Sequence, residues 1–174
     1  LKHRQEKRFA TVKLMIIRSK NLLRRIISSA LHICLLVMAF LFSVLPTIQA
    51  QETVVANGVS WRWRKGTNEV SAPSNLWRNN GFNDSAWLTG SAPFHYGEAL
   101  SGGTLLNDMQ NGYTCVFLRI PFVITNVSEI SSVQFVVNYD DGFVAWINGT
   151  EVARLGVTNA APAYTNNASI SHEA

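Results

Sequence analysis

The chain of 174 residues holds only two cysteines, Cys34 and Cys115. A framework of internal disulfides is therefore excluded. Cys115 lies within the apolar run "YTCVFLRIPF", where a buried, unreactive thiol is expected. Histidine is also scarce. His95 and His172 stand apart, without the spacing of zinc ligands. The glycine-rich "GEALSGGT" follows neither a phosphate-loop nor a dinucleotide pattern. Downstream of residue 50 no window carries a helical apolar stripe, which excludes a helical bundle.

Acidic residues are nearly missing from the first 50 positions, where Glu6 faces nine Lys or Arg. The remaining 124 residues reverse the balance, with six basic and ten acidic side chains, which argues against nucleic-acid binding. The two parts differ in kind. Residues 15–50 have the order of a secretory signal: basic residues through Arg24 and Arg25, the apolar run "IISSALHICLLVMAFLFSVLP", then "TIQA" with Ala50 before "QETVV". Cleavage after Ala50 is expected, with retention as a membrane anchor the competing reading, since the run approaches the roughly 20 residues of a bilayer span. Met15 is the first methionine, so residues 1–14 read as an upstream extension and 51–58 as a short linker.

From there the pattern is short apolar or alternating runs broken by Gly, Asn, Asp, Ser and Pro every 8 to 15 residues, the pattern of an all-β sandwich or barrel. "VSWRWRKG" sets Trp61 and Trp63 on one strand face and Arg62 and Arg64 on the other. "YTCVFLRIPFVI" is expected as a long strand with Pro121 at an edge or bulge. "SSVQFVVNY" alternates Val133, Phe135, Val137 and Tyr139 toward a core. Between residues 72 and 111 an ordered irregular segment is expected to pack Trp77, Phe82, Trp87 and Phe94 against the sandwich. About five strands would leave an apolar face bare. The sandwich is thus expected to be incomplete at its C-terminal end.

"NYDDGFVAWINGTEVAR" decides the register. A three-residue loop of Asp140, Asp141 and left-handed Gly142 would set Tyr139 opposite Phe143, Val137 opposite Ala145 and Phe135 opposite Ile147. Asn148-Gly149 is a type I′ hairpin turn, setting Ile147 opposite Thr150 and Ala145 opposite Val152. A three-stranded meander results. Asp140 and Asp141 then serve as turn residues. A structural calcium is the alternative, although two acids alone fall short of its six to eight oxygens.

"GFNDSAWLTGSAPFHYG", "NGYTCVFLRIPF" and "YDDGFVAWINGTEVAR", in that order, resemble the galactose-binding-domain-like jelly rolls of large secreted bacterial proteins. The hairpin is also similar to the sugar-binding domain at the N-terminus of β-galactosidase-type glycoside hydrolases. The resemblance covers residues 59–174 and implies a jelly-roll sandwich in a secreted or cell-surface protein. It implies no fixed catalytic residues. A Gly-Tyr-Gly common in the family reads His95-Tyr96-Gly97 here.

The expected role is a non-catalytic module that binds carbohydrate or supports neighbouring domains, with no cofactor beyond the calcium alternative. The other reading is an accessory domain of a glycoside hydrolase whose catalytic part lies downstream. Sugar binding works by stacking an aromatic ring on a pyranose while polar groups hold its hydroxyls. Trp77, Trp87, His95 and Tyr96 are the candidate rings, Trp87 being the one most expected in the core, with Arg78 and Asn80 their polar neighbours; Trp146 packs a second layer or forms a platform.

Overall fold

The computed structural model describes residues 7–9, 11–18 and 50–173, with side chains from Gln51 onward. Eleven strands make up its regular structure: β1 (Lys7–Phe9), β2 (Thr11–Arg18), β3 (Ala50–Val55), β4 (Ser60–Lys65), β5 (Leu88–Ser91), β6 (Phe94–Tyr96), β7 (Thr104–Leu105), β8 (Val116–Arg119), β9 (Ile130–Asn138), β10 (Phe143–Ile147) and β11 (Thr150–Leu155). Among the described residues the only helical pieces are two 3-10 turns, Leu76–Arg78 and Val127–Glu129. The protein is all-β.

The strands form four small sheets, β5-β4-β8, β3-β2-β9, β1-β6-β7 and the hairpin β10-β11. Pleating explains the central one. Trp61 and Trp63 of β4 are buried on one face with Leu118 and Val116 of β8 packed alongside, together with Val55, Phe94, Leu106, Met109 and Tyr113. Arg62, Phe117 and Arg119 belong to the opposite face. That second face is covered by the irregular segment: Trp77 lies edge-on to Phe117 at 5.2 Å and 6.1 Å from Trp87, and Phe82 lies 5.9 Å from Trp87. The aromatic loop is a layer of the fold, as its composition implied.

Several expectations are corrected. Residues 51–58 are no linker, because β3 occupies most of them. Residues 7–9 and 11–18 are strands where an extension and the start of a helical signal segment were expected, and β2 lies between β3 and β9. Thr11, Val12, Ile16 and Ile17 are β-branched, the type that fits a pleated surface. The rest of the expected signal segment, residues 19–49, lies outside the described residues. The strand expected across Pro121 stops at Arg119, where proline has no amide hydrogen to continue a ladder. Not every pairing is antiparallel: β6 and β7 run parallel. The loop between them is short because Gly97, Gly102 and Gly103 all have φ near +80°.

The meander is the largest correction. Tyr139 and Phe143 meet as rings, 4.9 Å apart, but Phe135 meets Phe143, at 5.8 Å, rather than Ile147. The ladder of β9 is made with β2. The turn itself explains the split. Asp141, not Gly142, takes the left-handed conformation, with φ of 62°. Gly142 is instead a close-approach glycine, since a Cβ there would lie 2.9 Å from the Leu155 carbonyl oxygen. Asp141 N–H donates to the His172 carbonyl, 3.0 Å, and its Oδ1 accepts from His172 N–H, 3.2 Å. Gly142 N–H donates to the Asp140 carbonyl, 3.0 Å, so the turn is held both by its own backbone and by the returning C-terminal segment.

Candidate functional site

The second hairpin carries the site's outer wall. Asn148 and Gly149 have φ of 50° and 84°, and Ile147 pairs with Thr150. Trp146 pairs with Glu151, but a bulge before it sets Ala145 opposite Ala153, leaving Val152 as the extra residue. Gly149 rests against the irregular segment, where an added Cβ would stand 2.6 Å from Asn79 Oδ1. Gly149→Val therefore combines strain at positive φ with a clash, and is expected to cost about 1–3 kcal/mol. An unchanged urea midpoint would reject the docking of this turn.

The inner wall is the 3-10 turn Leu76–Arg78. It is closed by Leu76 N–H to Pro73, 3.0 Å, and Asn79 N–H to Leu76, 3.1 Å. Trp77 N–H donates to Ser71 Oγ, 3.1 Å. These bonds direct Trp77 inward and Arg78 outward. Trp77 is buried, 7% exposed, and meets Trp146 edge-on at 5.5 Å. The Arg78 guanidinium lies over the Trp146 ring, 4.0 Å from its centroid, and 5.7 Å from that of Trp77. Asn79, Asn80 and Asn148 are exposed along the same lip.

Behind this lip opens a cleft of about 1250 Å³. Its floor is the half-buried apolar set Phe117, Ile120, Phe122, Phe135, Val137 and Phe143, and Tyr96 also lines it. Ile120, Phe122 and Phe135 of this floor also pack against the buried core cluster, and Phe117 meets Trp77. In β9 only Phe135 and Val137 turn toward it, while Val133 is 48% exposed.

The structure therefore brings Trp77, Arg78, Asn80 and Tyr96 to one cleft, but not all as expected. Trp77 cannot stack on a sugar, because its faces are spent on Trp87, Phe117 and Trp146. His95 is 3% exposed within β6 and does not line the cleft. Its strand lies between β1 and β7, which covers it from both sides. Trp146 packs against the second layer, and Arg78 covers its face. Asn79 and Asn148 were overlooked as lip residues, although Asn148 beside a hairpin glycine marks an exposed turn tip.

Asp140 is buried, 3% exposed, and Asp141 is bound to His172 as described. The His172 ring stacks on Tyr139 at 4.3 Å. Among the described residues no three His, Cys, Asp or Glu side chains gather as a metal-holding group.

Cys115 lies under the C-terminal segment, its Sγ 3.5 Å from the Tyr164 carbonyl. Burial, then the charge of Glu69, pushes its thiol from 9.0 up to about 11. Alkylation by iodoacetamide at pH 8 is expected to be slow in the native protein and fast in urea. The folded state holds the proton more tightly, so this thiol's contribution to stability is complete below pH 9 and falls as pH rises from 9 to 11. Equal alkylation rates in both states would contradict the burial.

Comparison of the chain with protein-family models, curated proteins and solved structures returns no match. The class that the structure itself defines is an all-β protein with an aromatic-floored cleft.

Proposed function

We propose that this chain is a non-catalytic carbohydrate-binding module, a galactose-binding-like jelly roll of an exported bacterial protein. The cleft carries the reading. Its apolar, aromatic floor suits the C–H faces of sugar rings, and its lip of Arg78, Asn79, Asn80 and Asn148 supplies donors and acceptors for hydroxyl groups. The basic, apolar leader supports export, and the tryptophan strand followed by the aromatic loop and the Asn-Gly hairpin supports the jelly-roll assignment.

Affinity electrophoresis of the full chain through gels containing polysaccharides tests the reading. Retention should fall on Asn80→Ala and Asn148→Ala, with little change on Asn57→Ala, a loop position outside the cleft lining. Mobility unchanged by every polysaccharide would leave a scaffolding role.

A further inference from the structure

Resting on the carbohydrate reading, we infer that the sugar taken at this cleft bears an anionic group, bound by Arg78. Among the basic side chains of residues 51–173, Arg78 stands out by what it lacks. Arg62 donates to Thr89 Oγ1, 3.1 Å; Lys65 pairs with Asp108; Arg119 pairs with Asp84 and Arg154 with Glu151. Arg64 is exposed to solvent. Arg78 is half-buried, its Nε is shielded from water without an acceptor, and no described residue forms a hydrogen bond or ion pair with its guanidinium.

Its acidic neighbours are already committed. Glu151 accepts from Arg154 Nε and Nη2, both at 2.7 Å. Glu69 Oε1 accepts from Tyr164 N–H, 3.2 Å. Burial holds the Arg78 pKa below its usual value; Glu151 and Glu69 oppose that shift, yet neither reaches the guanidinium as a partner. The cation lies over the Trp146 ring, 4.0 Å from its centroid, at the lip of the cleft. With Nε shielded, the two terminal nitrogens are the donors left to a ligand, and their paired N–H groups match the oxygens of a carboxylate or a sulfate ester. A neutral sugar would leave the charge without its counterpart.

Uronic-acid carboxylates and sulfate esters share this chemistry, and paired probes separate them: polygalacturonate against its methyl ester, and dextran sulfate against dextran. Each is used in affinity electrophoresis of the full chain and of Arg78→Gln, Arg78→Lys and Arg64→Gln. The basic residues of the first 50 positions act equally in all four proteins, and Arg64→Gln matches the charge lost in Arg78→Gln. Retention by polygalacturonate but not its ester, weakened about ten- to hundredfold in Arg78→Gln and kept in Arg64→Gln, supports a carboxylate. The same pattern with dextran sulfate against dextran supports a sulfate ester. Arg78→Lys keeps the charge without the fork and should lose binding to a lesser degree; it decides the matter if Arg78→Gln unfolds. Equal retention by charged and uncharged probes overturns the inference and leaves the sugar-binding reading standing. Equal weakening in Arg78→Gln and Arg64→Gln also overturns it. Retention by no polysaccharide at all overturns both.

Discussion

Replacing Arg119 by methionine is expected to lower stability by about 3 kcal/mol, read from the urea midpoint followed by tryptophan fluorescence. The size follows from how much of the second layer hangs on one guanidinium. Its Nε donates to Asp84 Oδ2 at 2.8 Å, and its Nη1 to the carbonyls of Trp77 and, at 3.4 Å, Asn79. The same group lies over the Phe82 ring at 5.2 Å. The ion pair is largely shielded, with side chains 18% and 24% exposed, so water replaces it poorly. Methionine keeps the apolar stem and removes only the fork, leaving Asp84 and two carbonyls short of a donor. Asp84→Asn, which keeps the shape and weakens one bond, should cost about 1 kcal/mol. A midpoint unmoved by both changes would mean that the irregular segment is held by its aromatic packing alone.

Trp77→Ala should cost more, about 3–5 kcal/mol, because a buried indole in contact with Trp87, Phe117 and Trp146 leaves a cavity that its neighbours fill only in part. Near-ultraviolet dichroism should collapse with it, since three of its contacts are aromatic. Trp77→Phe should recover much of the loss. The two sites are not independent, as Arg119 donates to the Trp77 carbonyl, so the double change Trp77→Ala with Arg119→Met should fall short of the sum of the single ones. Strict additivity, or a loss below about 1 kcal/mol for Trp77→Ala, would contradict a shared second layer.

What was legible in the sequence was local. Asn148-Gly149 announces its own turn chemistry, and Trp61 and Trp63 show their alternation without reference to anything distant. The density of aromatics between residues 72 and 111 likewise requires a packed layer. What was hidden depends on partners far along the chain. Whether Trp77 stacks on a ligand or on Trp146 is decided by a hairpin some 70 residues away. In the turn between β9 and β10, Asp141 is bound through its backbone and its carboxylate to His172, some 30 residues further along. Arg119 carries no local mark of its role, and the lack of a hydrogen-bond partner at half-buried Arg78 is visible only from the surroundings that the fold gives it.

The pairing of β2 with β3 bears on the cleavage that the sequence leads one to expect after Ala50. Ala50 is opposite Arg18, and Gln51 opposite Ile17. A peptidase removing residues 15–50 would have to cut between Ala50 and Gln51, and proteases take their substrates as an extended strand free of other pairing. Docked against β2, that peptide is withheld from the enzyme. Once the bond is cut, β3 and β9 lose the strand between them. Closing this sheet would therefore compete with the cleavage expected after Ala50, because the same stretch of backbone would serve both.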